Sequence, residues 1–164
     1  MKIYFAAAHA GYELKGILLA FVRDVLKHDV EDCGAPAYDP KDDYPPIIAT
    51  AAKKLSADIK KGLDSKAVVI GASGQGEAMV ANRFSGVRSA LYYGKAAFEQ
   101  TDMSGKQLDI IASSREHNDA NALSLGARFL TSDEAREAVR KWLSTPFSGD
   151  ERHMRRLKAI DDIA

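Results

Sequence analysis

Residues 68–82 read VVIGASGQGEAMVAN, and the order of side chains in that stretch decides how the chain folds. Val68, Val69 and Ile70 are β-branched and apolar, as a buried strand requires; Gly71, Gly74 and Gly76 interrupt them, and an Ala- and Met-containing segment suited to a helix follows. Glycines at a strand-to-helix junction let the backbone turn sharply and bring amide N–H groups against a ligand, and the first helical turn adds donors with no internal acceptor. Such a loop suits an anion. Glu77 stands at the mouth of the predicted helix, so a carboxylate lies beside a set of oxyanion donors, a pairing fit for proton abstraction next to a carbonyl. Single letters exclude three other glycine motifs: a GxSxG nucleophile elbow requires glycine where Gln75 sits, a Walker loop requires GKS or GKT, and a GxGxxG fingerprint meets Met79. A tight turn capped by a dipole-matching glutamate accounts for the same letters without a ligand.

Outward from this loop, strands alternate with helices. Residues 2–7 form a short apolar run, His9, Ala10 and Gly11 a turn, and Leu14, Ile17, Leu18, Phe21, Val22 and Val25 recur at helical spacing. Residues 30–33 suffice for a small strand, 34–46 for a proline-punctuated loop, and 46–61 for a helix with the stripe Ile47, Ile48, Ala51, Ala52 and Leu55. Another strand is predicted over 87–92. Ala96, Ala97 and Phe98 read as helical, TDMSGK at 101–106 as a loop, and 108–111 as a short helix or strand. A last core strand covers 122–125, and an amphipathic helix covers 133–143 with Ser132 as its N-cap. Residues 150–163 add a helix outside the alternation. The pattern implies a parallel sheet covered on both faces, with ligands at the carboxyl ends of the strands, where His9 and the 71–77 loop fall.

At 164 residues, 46% of them hydrophobic, the chain fits one domain (1–164) with a sizeable core. Twenty-three basic and 23 acidic residues cancel, so no global field recruits nucleic acid or an anionic membrane. Cys33 is the one cysteine, which excludes an intrachain disulfide or cysteine-rich metal site and suits a reducing cytoplasm. The opening MKIYFAAAHAGYELK carries too short an apolar run for a signal peptide or membrane span, so the mature chain is expected to begin where the sequence does.

These pieces resemble the ribose-5-phosphate isomerase B family, which also includes subunits of galactose-6-phosphate isomerase. The matching words are HAGYELK (9–15), DDYP (42–45), GASGQGEAMVANRFSGVRSAL (71–91), REHNDAN (115–121), LGAR (125–128) and RHMRR (152–156), in the family's order over nearly the whole chain. The resemblance implies a Rossmann-like three-layer sandwich with a five-stranded parallel sheet, here with an extra C-terminal helix, and active sites at a homodimer interface. It implies aldose–ketose isomerisation of a sugar phosphate, by default ribose 5-phosphate to ribulose 5-phosphate, through an enediolate and without a metal or other cofactor. Isomerisation of another pentose or hexose phosphate, or sugar-phosphate binding without turnover, is the alternative. One branch of the family carries a cysteine at the position of Gly71; the other uses a glutamate where this chain has Glu77, and this sequence falls with the second, leaving Cys33 as a packed thiol.

Glu77 then shuttles the proton, a task that calls for a pKa lifted by desolvation against the pull of the helix N-terminus. Ser73 and the amides of Gly74, Gln75 and Gly76 are candidates for the enediolate oxygens, although Ser73 would equally serve as a cap. By resemblance, His117 opens the sugar ring, Asn118 holds sugar hydroxyls, and Arg128 and His9 bind phosphate. Arg152 and Arg156 are four apart and share a helical face on which paired guanidinium forks can grip phosphate, with His153 adjacent. A solvated charged helix is the plain meaning of such a run, and a nucleic-acid site would want interleaved aromatics. Tyr44 lines the sugar pocket or anchors its loop. Two departures stand out: the family usually has Asp before the first His, where this chain has Ala8, and the segment before REHN is longer by roughly a dozen residues in the family comparison. Together they predict a preference for a sugar phosphate other than ribose 5-phosphate.

Overall fold

A computed structural model describes residues 1–102 and 105–163; Met103 and Ser104, within the expected 101–106 loop, lie outside the described residues. Five strands form one parallel sheet: β1 (Lys2–Ala7), β2 (Asp29–Asp32), β3 (Ser65–Gly71), β4 (Ser89–Tyr92) and β5 (Ala122–Gly126), in the order β2-β1-β3-β5-β4. The helices are α1 (Tyr12–Asp24), α2 (Tyr44–Lys60), α3 (Gln75–Ala81), α4 (Ile110–Glu116), α5 (Ser132–Ser144) and α6 (Glu151–Asp161), with a 3-10 turn over His9–Gly11. β3 lies at the centre and is buried at every residue, which is why residues 67–70 run apolar without alternation; Ser65 and Lys66 at its start bond Asp58 and Asp64.

Alternate strand residues point to opposite faces and make two cores. Ile3, Phe5, Val68, Ile70, Leu123 and Leu125 meet α1, α4 and α5 through Leu18, Val22, Ile111, Val139 and Trp142. Tyr4, Ala6, Ala67 and Val69 meet α2 and α3 through Ile48, Ala51, Leu55 and Ala81. This is the expected helix–sheet–helix sandwich. Because β1 leads into α1 on one face while β3 leads into α3 on the other, a crevice opens between the carboxyl ends of β1 and β3.

Several local readings differ from the sequence expectation. Residues 96–98 are not helical, and the short element before REHN is the helix α4, capped by Asp109, whose side chain accepts from the Ala112 amide. α2 starts at Tyr44 with Pro45 and Pro46 in its first turn, where a missing N–H costs nothing. Thr131, not Ser132, caps α5, because only Thr131 has a glutamate three residues on to close a capping box with Glu134. Ile17 and Val25 are exposed, whereas Lys15 is buried; its ammonium reaches Asp32 at 2.8 Å and the Ala35 carbonyl at 3.2 Å. Among the described residues, no helix is long and apolar enough to cross a membrane.

Candidate active site

The carboxyl edge of the sheet carries the glycine loop. Gly74, with φ 75°, turns the chain from β3 into α3, and its carbonyl is held by Ser124 Oγ at 2.6 Å. Of the amides at the start of α3, which have no acceptor one turn back, that of Gln75 reaches Ser73 Oγ at only 3.4 Å and that of Glu77 bonds its own carboxylate. Those of Gly74 and Gly76 have no acceptor among the described residues. The Ser73 hydroxyl is therefore barely engaged as a cap and stands half-buried beside two free donors.

Glu77 is 6% exposed and has no cationic partner among the described residues. Burial raises its pKa above the ordinary 4.5, while the hydrogen bond from its own amide opposes that. Its position depends on Gly71: a Cβ built there would stand 1.8 Å from Glu77 Oε1 and 1.9 Å from its carboxyl carbon. The carboxylate occupies the space that a side chain at 71 would fill. Any side chain at 71 would have to displace this carboxylate. Cys33 lies elsewhere, at the end of β2, and burial raises its thiol pKa, so it stays protonated.

His9 follows β1 at the same carboxyl edge of the sheet. Its Nδ1 lies 2.6 Å from Asp42 Oδ1, and its amide reaches both oxygens of Asp42 at 3.1 and 3.0 Å. Two residues on, the Tyr44 phenol packs on Gly76, where a Cβ would meet Tyr44 Oη at 2.5 Å. Tyr44 thus both lines the crevice and anchors its loop. Arg128, just past β5, is exposed, with its amide bonded to the Ala72 carbonyl at 3.0 Å.

The remaining predicted residues gather at the other edge of the sheet. His117 and Asn118 follow α4 and precede β5; the Asn118 carbonyl accepts from Arg88 Nε at 3.2 Å, immediately before β4. β5 itself, five residues long, separates the two edges by roughly 17 Å. The other polar letters of REHNDAN build this loop: Arg115 Nη1 binds Asp119 at 2.8 Å and the Ala120 carbonyl at 2.6 Å, and Asn121 clamps the Arg88 amide and the Gly86 carbonyl, both at 2.8 Å. His117 stacks on His153 of α6, with ring centroids 4.5 Å apart. His153 is 3% exposed and offers no free ring nitrogen: Nε2 accepts from Arg152 Nε at 3.1 Å, which leaves the proton on Nδ1 to donate to Ser148 Oγ at 3.0 Å. Burial first, then the charges of His117 and Arg152, lowers its pKa. His153 therefore orients Arg152, and both line one cavity.

Arg152 and Arg156, both exposed on α6, line a cavity of about 560 Å³ together with His117. Its far wall comes from the segment before α4, through Phe98, Gln100, Thr101 and Leu108. The sequence reading marks the segment before REHN as able to redraw a pocket wall; it passes over Asp42, although the doubled acid in DDYP is visible.

Residues 3–160 match the family model described as Ribose/Galactose Isomerase. The chain is 36% identical over 160 residues to ribose-5-phosphate isomerase B of Mycobacterium tuberculosis, covering 98% of this chain and 88% of that protein. The crystal structure of ribose-5-phosphate isomerase B from Mycoplasma genitalium with bound ribulose 5-phosphate superposes with a TM-score of 0.83 at 30% identity, covering 99% and 95% of the two chains. Ribose-5-phosphate isomerase B of Clostridium thermocellum gives 0.79 at 32%, covering 99% and 97%. By these matches over its whole length, the chain belongs to the ribose/galactose isomerase family.

Proposed function

We propose that residues 1–164 act as one isomerase domain that interconverts ribose 5-phosphate and ribulose 5-phosphate by proton transfer through an enediolate. The observation that carries this reading is the buried, cation-free Glu77 carboxylate seated on Gly71 beside the free Gly74 and Gly76 amides and the Ser73 hydroxyl. Burial makes Glu77 a stronger base than a solvated carboxylate. It takes the proton from C2 and returns it to C1, while the proton on the C2 hydroxyl passes to the C1 oxygen through the Ser73 hydroxyl, so that the aldehyde becomes an alcohol and C2 the carbonyl. Ser73 and the two amides hold the oxygens on which charge develops; a well-aimed donor of this kind is worth about 10² to 10³ in rate. Proton transfer between adjacent carbons leaves the substrate's oxidation state unchanged overall, so Glu77 and the loop donors suffice for the step.

Ring opening falls to His117, and the phosphate to Arg152, Arg156, Arg128 and His9. These groups divide between the two edges of the sheet, which supports a homodimer in which His117, Asn118, Arg152 and Arg156 of one copy face the Glu77 edge of the other. The exposed Tyr93 and Phe129 rings, 6.0 Å apart at the carboxyl edge, supply apolar surface for such a contact. The lone Cys33 fits work in a reducing cytoplasm. Ribose 5-phosphate is favoured over another sugar because the relatives named above are ribose-5-phosphate isomerases. The expectation of a different sugar also loses one premise, since a carboxylate stands beside His9 despite Ala8.

A panel of pentose and hexose phosphates, assayed for ketose formation and for exchange of carbon-bound hydrogen with heavy water, tests the reading. Ribose 5-phosphate should rank first, with exchange at C2. Binding of ribose 5-phosphate without exchange would overturn the enzymatic reading, and a higher kcat/KM for another sugar would move the substrate.

A further inference from the structure

We propose that Asp42 is a positioning residue for His9, setting the orientation of its ring at the carboxyl edge of the sheet with Nδ1 turned to the protein and Nε2 left for a substrate. The inference rests on the isomerase reading given above and adds to it a residue 33 positions away in the chain from the group it serves. Three contacts define the pair. Asp42 Oδ1 meets His9 Nδ1 at 2.6 Å, and the two carboxylate oxygens share the His9 amide at 3.1 and 3.0 Å.

A carboxylate only accepts, so Nδ1 carries a proton, and Nε2 is the ring nitrogen left for a substrate, where a second proton lets it donate to a phosphate oxygen. No described residue bonds Nε2. The Asp42 side chain is 10% exposed and that of His9 is 32% exposed, so the carboxylate is spent inside the protein while the ring keeps a solvent-facing side. Asp42 is itself held in place: its amide bonds the Asp39 carbonyl at 3.2 Å, and the Asp39 side chain accepts from the Lys41 amide at 2.9 Å, which closes a local turn. Tyr44, two residues on, rests on Gly76, so the same short segment ties His9 to one side of the crevice and the glycine loop to the other. Ala8 cannot supply a carboxylate to His9, and Asp42 does so through space.

A purely structural alternative is that Asp42 only fastens its loop to the His9 amide, a bond that any residue at position 9 would retain. A double-mutant cycle separates the two on purified full-length protein, with kcat and KM for ribose 5-phosphate, calorimetric ribose 5-phosphate affinity and the melting transition measured for each variant. Asp42→Asn should lower kcat/KM at least roughly 10-fold in the parent, as loss of a hydrogen bond to a charged group predicts. In a His9→Asn background the same change should cost no more than about twofold, because its target is gone. Asp42→Glu should recover part of the loss. Equal losses in both backgrounds, or no loss in the parent, would overturn the proposal. A parent protein that neither binds nor isomerises ribose 5-phosphate would instead overturn the isomerase reading, so the two failures are distinct.

Discussion

Replacing Gly71 with alanine is the smallest change that reaches the proposed base. A methyl group at that α-carbon would stand 1.8 Å from Glu77 Oε1, whereas ordinary van der Waals contact begins at 3.4 Å. The carboxyl group must retreat by the difference, about 1.6 Å, because repulsion at shorter range far exceeds any single contact energy. The strand itself should tolerate the change: Gly71 is the last residue of β3, paired with Gly126, and it does not have a positive φ. A displacement near 1 Å in an active site can cost about 10² in rate, so kcat should fall at least about 10²-fold. Affinity for ribose 5-phosphate should change little, since none of the proposed phosphate ligands belongs to the glycine loop. The assay is steady-state ketose formation, with calorimetric affinity and a thermal melt on the same sample. Glu77→Asp, one methylene shorter, should recover part of the turnover in the Gly71→Ala background and lower it in the parent. A Gly71→Ala protein with kcat within about threefold of the parent and an unchanged melt would refute the assignment of Glu77 as base.

Glu77→Gln should abolish hydrogen exchange while leaving ribose 5-phosphate affinity within a few fold, and it should also change the pH dependence of stability. Because the folded protein holds the Glu77 proton more tightly than the unfolded chain, that group's contribution is full below the ordinary pKa of 4.5 and is lost as pH rises through the raised folded value. The Gln variant should therefore gain stability over the parent above about pH 4.5 and not below it, as chemical denaturation at several pH values would reveal; a constant difference would mean that Glu77 is not desolvated. Arg152→Ala and Arg156→Ala should each weaken ribose 5-phosphate by about 1.5 to 3 kcal/mol, roughly 10- to 150-fold, and unphosphorylated ribose far less; equal losses would assign them to folding or assembly. Mixing Glu77→Gln subunits with Arg156→Ala subunits should restore activity if each site draws on two copies, and verified mixed dimers without activity would place the whole site in one chain.

The strand–glycine–helix unit around residues 68–82 was legible in the letters because local chemistry decides it. A β-branched run, glycines at the turn and good helix formers each restrict their own backbone. The alternation of such units implied the parallel sheet. Misreadings arose where a competing local signal or a distant partner won. Thr131 caps α5 because Glu134 answers it, a pairing visible in the sequence but one residue from the expected cap. Lys15 is buried and Ile17 exposed because Asp32 and the Ala35 carbonyl, brought by β2 and its loop, solvate the ammonium inside the protein. The 96–98 run has helix-forming letters but no helix, since the short segment between Gly94 and Thr101 lies outside regular structure and no helix forms on propensity alone over so few residues.

What the sequence by itself determined is therefore the set of chemical groups and the elements that carry them: Glu77 on a helix start, Ser73 and the glycine amides in its loop, and Arg152 and Arg156 on one helical face. Only the tertiary structure decided which of these groups meet. Parallel strands send every residue that follows a strand to one edge of the sheet and every residue that precedes a strand to the other. His9, Gly71, Glu77 and Arg128 therefore collect together, while His117, joined by α6, lies a strand length away. Close approaches belong to the same class of fact: the carboxylate of Glu77 fills the place of a missing side chain at Gly71, and Asp42 reaches His9 across 33 residues of chain. Neither contact has a sequence period, because each is set by where the sheet order brings two loops into register, a long-range result of packing two cores at once.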